Sequence, residues 1–310
     1  MKILVTGGAG FIGSHIVEYF HNRAEVRVLD NLRSGFKHNL DGLKPEFIQA
    51  SILDRETVRR AMDGVDFVFH LAAMISVPES MQKTIECNEI NTTGTLVVLE
   101  EAARAKVKKL VLSSSAAIYG DNPMTPKSEM MLPEPKSPYA ITKLDGEFYC
   151  KMFTEEGRVQ TACLRYFNVF GPRQDPKSQY AAAVPIFVDC AVKNEPITIY
   201  GDGEQTRDFI FVKDIVAANV FFATQSKATG VFNVAYGRRI TINDLAKTIC
   251  QLTNSHSEIR YAAERSGDVK HSVASIEKLR ANGFTPISNF KEGLKSTIEF
   301  LKLNPGCEAR

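Results

Sequence analysis

The 310-residue sequence predicts an α/β fold, a doubly wound parallel sheet followed by a smaller C-terminal α/β domain. Three observations carry that expectation. Short apolar runs recur without polar alternation, which marks strands buried on both faces. Segments of helical length separate them, as a parallel sheet requires. A glycine-rich turn joins the first run to the first helical segment. In order, Ile3-Leu4-Val5, Val26-Arg27-Val28-Leu29, Phe47-Ile48, the run from Phe67 to Leu71 and Leu110-Val111-Leu112 read as strands. Helical periodicity lies between them near 12–22, 54–63 and 80–105. Further strands are expected at 159–166, 197–200, 209–212 and 231–235, with helices near 138–156, 180–193, 213–226, 241–253 and 290–302. Prolines at 123, 126, 133 and 135 make 121–138 a loop before Pro138 opens a helix. Gly171-Pro172 begins a second irregular stretch. The alternation weakens after residue 167, so the expected domains are 1–167 and 168–310, with the chain crossing back between them.

Composition excludes several classes of protein. Hydrophobic residues are 44% and charged residues 24%, close to ordinary globular usage, which argues against disorder. No apolar run approaches the roughly 18 residues of a membrane span, and Met1-Lys2 leads directly into a strand rather than a signal peptide. Lys+Arg number 38 against 36 Asp+Glu, and a net charge of +2 forces no basic face for nucleic acid or membrane. The six cysteines never approach CxxC spacing and no histidine pair stands beside them. They read as reduced thiols of a cytoplasmic protein with no structural metal.

Glycines 7, 10 and 13 form a GxxGxxG turn between the first strand and the first helix. One glycine permits the tight turn, another lets a pyrophosphate approach the backbone, and the third lets the helix sit close to the sheet. The helix N-terminus then receives the phosphate charge. The pattern reads as a Rossmann-type dinucleotide site, with a plain strand–turn–helix as the competing reading. Asp30 ends the second strand, where a carboxylate accepts from the adenosine ribose and repels a 2′-phosphate, selecting NAD. Arg33 keeps NADP open, since a guanidinium can pair with that phosphate.

Tyr139 and Lys143 lie four apart on an expected helix and hence share a face. A tyrosinate base near neutrality needs its pKa of about 10 lowered by roughly 3 units, and a neighbouring ammonium and an oxidised nicotinamide have the right sign. YxxxK alone is weak, with about 0.5 chance matches expected from nine tyrosines. Its place after the fifth strand strengthens it. Ser113-Ser114-Ser115 closes that strand at the carboxyl end, where ligands of open α/β sheets bind. A hydroxyl there can hold the substrate oxygen and shuttle a proton. His70, after a buried strand, reads as shaping the cofactor loop rather than catalysing.

TGGAGFIG at 6–13, Asp30, HLAA at 70–73, SSSAAIYG at 113–120, SPYAITK at 137–143 and RYFNVFGPRQ at 165–174 resemble the extended short-chain dehydrogenase/reductases. GDGEQTRDF at 201–209 and RSGDVKHS at 265–272 carry the resemblance almost to the C-terminus, toward the nucleotide-sugar epimerases and dehydratases. It implies Tyr139, Lys143 and Ser115 as catalytic residues. NAD would be held by Gly7, Gly10, Phe11, Ile12, Gly13, Asp30, Asn31, Ser34, Ile52, Leu71 and Ala72, with Tyr139 and Lys143. A UDP-sugar would meet Ser76, Ser114, Asn168, Gln174, Ala182, Arg207, Arg265, Asp268 and Ser272. A homodimer through the helices near 80–105 and 139–156 is implied as well.

Within that resemblance, dehydratases place an Asp-Glu pair after the catalytic hydroxyl, and decarboxylases a Glu. Here Ala116 and Ala117 follow Ser115 and cannot move a proton. That leaves oxidation and re-reduction at one carbon, 4-epimerisation through a 4-keto sugar. Gln174, Ala182 and a small Ser272 match enzymes that accept N-acetylated sugars. Ile75-Ser76 stands where those have Gly-Ser, and Ser51 replaces an acid often set against the adenine. Plain hexoses and N-acetylhexosamines are both expected substrates, and UDP-glucuronate and a reaction with net redox stay open. For Arg207, a local ion pair with Asp208 is the competing reading.

Overall fold

The computed structural model describes residues 1–176, 182–264 and 270–304. The first half lays down β1 (Lys2–Thr6), β2 (Glu25–Asp30), β3 (Glu46–Gln49), β4 (Phe67–His70), β5 (Lys109–Ser115) and β6 (Gln160–Tyr166). Leu4, Val68 and Leu110 are wholly buried mid-strand, as strands covered on both faces require. The chain then forms β7 (Asn168–Phe170), β8 (Ile197–Tyr200), β9 (Thr206–Arg207) and β10 (Phe209–Phe211), and returns to the first sheet as β11 (Gly230–Val234). Two short strands follow, β12 (Ile240–Thr241) and β13 (Ile259–Ala262). The main sheet has seven parallel strands in the order β11-β6-β5-β4-β1-β2-β3.

Helices cover both faces. On one side α1 (Phe11–Phe20) contributes Ile16, Val17 and Phe20 to a core it shares with Ile215 and Phe222 of a later helix. On the other, α2 (Arg55–Ala61) begins at Asp54, whose carboxylate accepts from Thr57 N at 3.1 Å. The expected single helix over 80–105 is broken into α3 (Val77–Gln82), α4 (Thr84–Asn88), a π-helical turn at Glu89–Thr93 and α5 (Gly94–Arg104). The wide turn has a side-chain reason. Asn91 points inward, accepting from Met74 N (2.7 Å) and donating to Met74 O and Thr142 Oγ1 (both 3.0 Å). Next comes α6 (Pro138–Glu155), with proline in its first turn and Ser137 capping Ala140 N at 3.2 Å.

The second half builds its own core from Phe170, Phe187, Ile197, Phe209, Leu245 and Leu294. These belong to β7, β8, β10 and to α7 (Ala183–Lys193), α9 (Ile242–Thr253) and α11 (Phe290–Leu303). Between them α8 (Val212–Thr224) and α10 (Glu277–Ala281) pack on the main sheet, with Ile215, Phe222 and Leu279 joining the α1-side core. The main-sheet side therefore takes elements from well beyond residue 167. No helix among the described residues is long and apolar enough to cross a membrane.

Candidate active site

The turn after β1 is built as its glycines demand. Gly7 has φ +72°, and a Cβ there would lie 2.7 Å from Ala72 N. A Cβ on Gly13 would lie 2.1 Å from the Gly7 carbonyl, so only glycine lets α1 approach this closely. At Gly10 a Cβ would meet only the Gly7 carbonyl, at 3.2 Å, which leaves that backbone open to the cleft. Gly10 also heads α1 without a side-chain cap, so the amides of the first turn are not claimed by one. Phe11 and Ile12 are half-buried against the core of the second half.

Asp30 closes β2 almost buried, one oxygen accepting from Ala9 N (2.9 Å) and the other from Leu32 N (2.8 Å). Burial pushes its carboxyl up while those two amides pull it down. Asn31 turns the loop by accepting from Arg33 N, and Ser34 is exposed beside it. Arg33 is not poised for a 2′-phosphate. Its guanidinium pairs with Glu79 at 2.9 Å and Glu86 at 2.5 Å. Because β1 lies between β4 and β2 in the sheet, a bridge from the post-β2 loop to the post-β4 helices passes over the glycine turn. Ile52 is buried beneath Gly94, and Leu71 and Ala72 donate their amides to Thr6 O and Thr6 Oγ1.

His70 is one per cent exposed and its tautomer follows from its neighbours. Thr95 Oγ1 donates to Asn91 O, so it accepts from His70 Nε2 at 3.0 Å, and Nδ1 accepts from Thr6 Oγ1 at 2.7 Å. Burial, with the Lys143 charge nearby, pushes the imidazole down to about 3. A neutral histidine thus braces the ends of β1 and β4 against the first turn of α5.

Strand β5 and helix α6 bring together the candidate catalytic residues Ser115, Tyr139 and Lys143. Tyr139 and Lys143 lie one turn apart on α6, with Lys143 Nζ 5.8 Å from the phenol ring centre and donating to Ser113 O at 2.8 Å. Burial raises the Tyr139 phenol, and a hydrogen bond with Ser115 opposes that rise. Burial likewise lowers Lys143 to about 8. Ser115 also accepts from Ala117 N at 3.1 Å, opening a short 3₁₀ turn, Ala116–Tyr119, that carries no acid in its first two positions. Ser114, expected to meet substrate, is two per cent exposed, and its hydroxyl donates to Glu147 at 2.5 Å. Adjacent strand residues point to opposite faces, so Ser114 turns away from the cleft that Ser115 meets.

On the substrate side, Ser76 caps α3 through Glu79 N, Asn168 is exposed at the start of β7, and Ala182 is exposed at the head of α7. Gln174 donates to Val169 O, and its buried Oε1 has no partner among the described residues. Ser272 follows the bridge to β9, its amide bonded to Thr206 O. Arg207 donates to Thr206 O at 3.0 Å. Asp208 accepts from the amides of Tyr236, Gly237 and Ala274 and so is tied into the backbone of its own domain. Arg265 and Asp268 lie outside the described residues. Glu147 and Arg165 went unnoticed in the sequence, although Glu147 sits one further turn along the Tyr139–Lys143 face.

The glycine turn, Asp30 and the Ser115–Tyr139–Lys143 cluster define a dinucleotide-dependent enzyme equipped to move a proton and a hydride at an alcohol carbon. The chain belongs to the NAD-dependent epimerase/dehydratase family, whose model matches residues 3–235. A putative UDP-glucose 4-epimerase of Methanocaldococcus jannaschii is 37% identical over 97% of this chain and 99% of that protein. The structure of a UDP-N-acetylglucosamine 4-epimerase from Methanobrevibacter ruminantium, in complex with UDP-N-acetylmuramic acid, is 41% identical with TM-score 0.94 over 98% of each chain. A UDP-glucose 4-epimerase of Thermotoga maritima with UDP-glucose has TM-score 0.93 and 40% identity, covering 98% of this chain and all of that one. The residues present fit NAD: the uncapped α1 for the pyrophosphate, Asp30 for the ribose, and a guanidinium already engaged where NADP would need one.

Proposed function

We propose that this protein inverts carbon 4 of UDP-sugars, with UDP-glucose/galactose and their N-acetylated counterparts as substrates. The observation that carries this reading is the Ser115–Tyr139–Lys143 cluster followed by two alanines. It can exchange a proton with a hydroxyl, but it has no acid to drive elimination. Bound NAD⁺ supplies the hydride acceptor and later the donor at carbon 4. Tyr139, as phenolate, takes the 4-hydroxyl proton, with Ser115 bridging between the two oxygens. The Lys143 ammonium, anchored on Ser113 O, favours that phenolate. The same phenol returns the proton after the 4-keto sugar has turned about its diphosphate link.

The turning sugar needs a fixed nucleotide, a role we assign to Asn168, Arg207, Arg265 and Asp268. Gln174 Oε1, which has no partner among the described residues, suits an acetamido N–H, and the small Ser272 leaves it room. We further assign a homodimer joined through α3, α4 and α6. Ile85 (77% exposed), Phe148 (60%), Met81 and Ile141 leave an apolar face there that a second copy would cover. The described cysteines are free thiols, which supports a cytoplasmic setting.

Incubation with UDP-glucose, UDP-N-acetylglucosamine and UDP-glucuronate, followed by NMR, tests the reading. Inversion at carbon 4 of either neutral sugar without change in absorbance at 340 nm is expected. Steady NADH accumulation, or inversion of the uronate alone, overturns it.

A further inference from the structure

One helix and one strand end are joined three times in succession. Tyr139, Lys143 and Glu147 stand at i, i+4 and i+8 on α6, and each meets one residue of the serine run closing β5. Ser115 faces the Tyr139 phenol, Ser113 O accepts from Lys143, and Ser114 Oγ donates to Glu147 Oε1 at 2.5 Å. The third joint is reinforced from behind. Arg165 of β6, paired in register with Ser114, donates from Nε and from one terminal nitrogen to the two Glu147 oxygens at 2.8 and 2.7 Å. The guanidinium lies 4.8 Å from the Tyr119 ring centre, and Tyr119 donates to Asn233 Oδ1 of β11 at 2.7 Å. Side chains of Glu147 and Arg165 are each four per cent exposed.

A buried ion pair gains little stability over apolar packing of the same volume, because desolvation offsets the attraction. What it adds is direction. Two parallel N–H···O bonds and one short O–H···O bond tolerate displacements of only tenths of an ångström and are directional, as the neighbouring apolar contacts of Cys150, Phe153 and Leu112 are not. Glu147 lies about 12 Å along the helix from Tyr139, at 1.5 Å per residue, so an axial slip at one is passed rigidly to the other.

We propose that Glu147, clamped by Arg165 and Ser114, is a positioning residue that sets the axial register of α6 on β5 and so holds Tyr139 and Lys143 opposite Ser115 and Ser113. The inference rests on Tyr139 being the base of the proposed reaction.

The test uses the NAD-loaded protein and two variants. Glu147→Gln keeps the shape and removes the charge. Glu147→Met with Arg165→Met replaces the pair by apolar side chains and leaves no buried charge unpaired. The first readout is Tyr139 ionisation at 295 nm, taken as the difference from Tyr139→Phe in each background, which needs no turnover. The second is the split between kcat and KM on whichever UDP-sugar the parent inverts. Both variants should keep bound NAD, lose about 10- to 100-fold in kcat with KM within about 3-fold, and ionise Tyr139 at higher pH. If either fails to fold, Ser114→Ala decides, with the same directions and smaller size. Unchanged kcat and an unchanged Tyr139 titration in a folded variant overturn the proposal and leave the pair a fold staple. A parent that inverts no UDP-sugar, yet shows the Tyr139 shift in the variants, overturns the functional reading and keeps the positioning.

Discussion

Tyr139 is half-buried, and the loss of solvent raises its phenol while a hydrogen bond with Ser115 opposes that rise. At any pH below its raised value the base carries its proton, so turnover should climb with pH until that proton leaves. Positive charge at a bound nicotinamide should bring the ionisation down. Titration at 295 nm should therefore place Tyr139 at lower pH in the NAD⁺-loaded protein than in stripped protein, and coincident curves would contradict this. Tyr139→Phe should lose about 10²- to 10⁴-fold in kcat while retaining NAD, measured by the cofactor released on denaturation. His70 bears on stability instead. Its folded value near 3 lies below the ordinary 6.5, so its contribution is complete above pH 6.5 and is lost as pH falls toward 3. Urea unfolding of the parent should weaken between pH 7 and 5 by up to about 1.4 kcal/mol per unit, and a His70→Asn variant should lose less. Tyr139, Lys143 and Ser115 were legible because a helical spacing and a strand end place them without three-dimensional knowledge. Ser114, Glu147 and Arg33 were not. Their partners come from other elements, and a sequence does not print which face of a strand end a serine will take.

At the level of elements, the glycine turn and α1 follow directly from the sequence, since no other residue type fits Gly7 or Gly13. The stretch from 77 to 104 does not. Its periodicity is helical throughout, and the break coincides with Asn91 answering the backbone of Met74 and Thr142 of α6, contacts between segments distant in sequence. The bridge from Arg33 to Glu79 and Glu86 also belongs to this scale. Each pair is partly exposed and worth little alone, but together they link two elements across the cofactor turn. Arg33→Ala should speed release of NAD by about 5-fold, corresponding to about 1 kcal/mol, and high salt should speed release from the parent toward the same rate. Stopped-flow displacement with excess unlabelled cofactor measures both. Equal off-rates would mean that the bridge plays no part in holding the ligand.

For the whole molecule, the near-zero net charge is compatible with two anionic ligands, because in the proposed site backbone amides and a few placed cations, rather than a basic surface, would receive them. The apolar face on α3, α4 and α6 should bring two copies together, and Phe148→Lys should shift sedimentation from dimer to monomer. A parent already sedimenting as a monomer would remove that assignment. Strand β7 begins at Asn168, near where the strand–helix alternation weakens in the sequence, but α8, β11 and α10 come back to the first sheet, and no local pattern announces a return. This re-entry decides how the molecule can come apart. The second half is an excursion stitched into the edge of the sheet, not a bead on a string. A protein cut after residue 167 would lack β11 beside β6 and the α8 and α10 side chains of its core. Heating should therefore melt both halves in one calorimetric transition, and a 1–167 fragment should fail to fold.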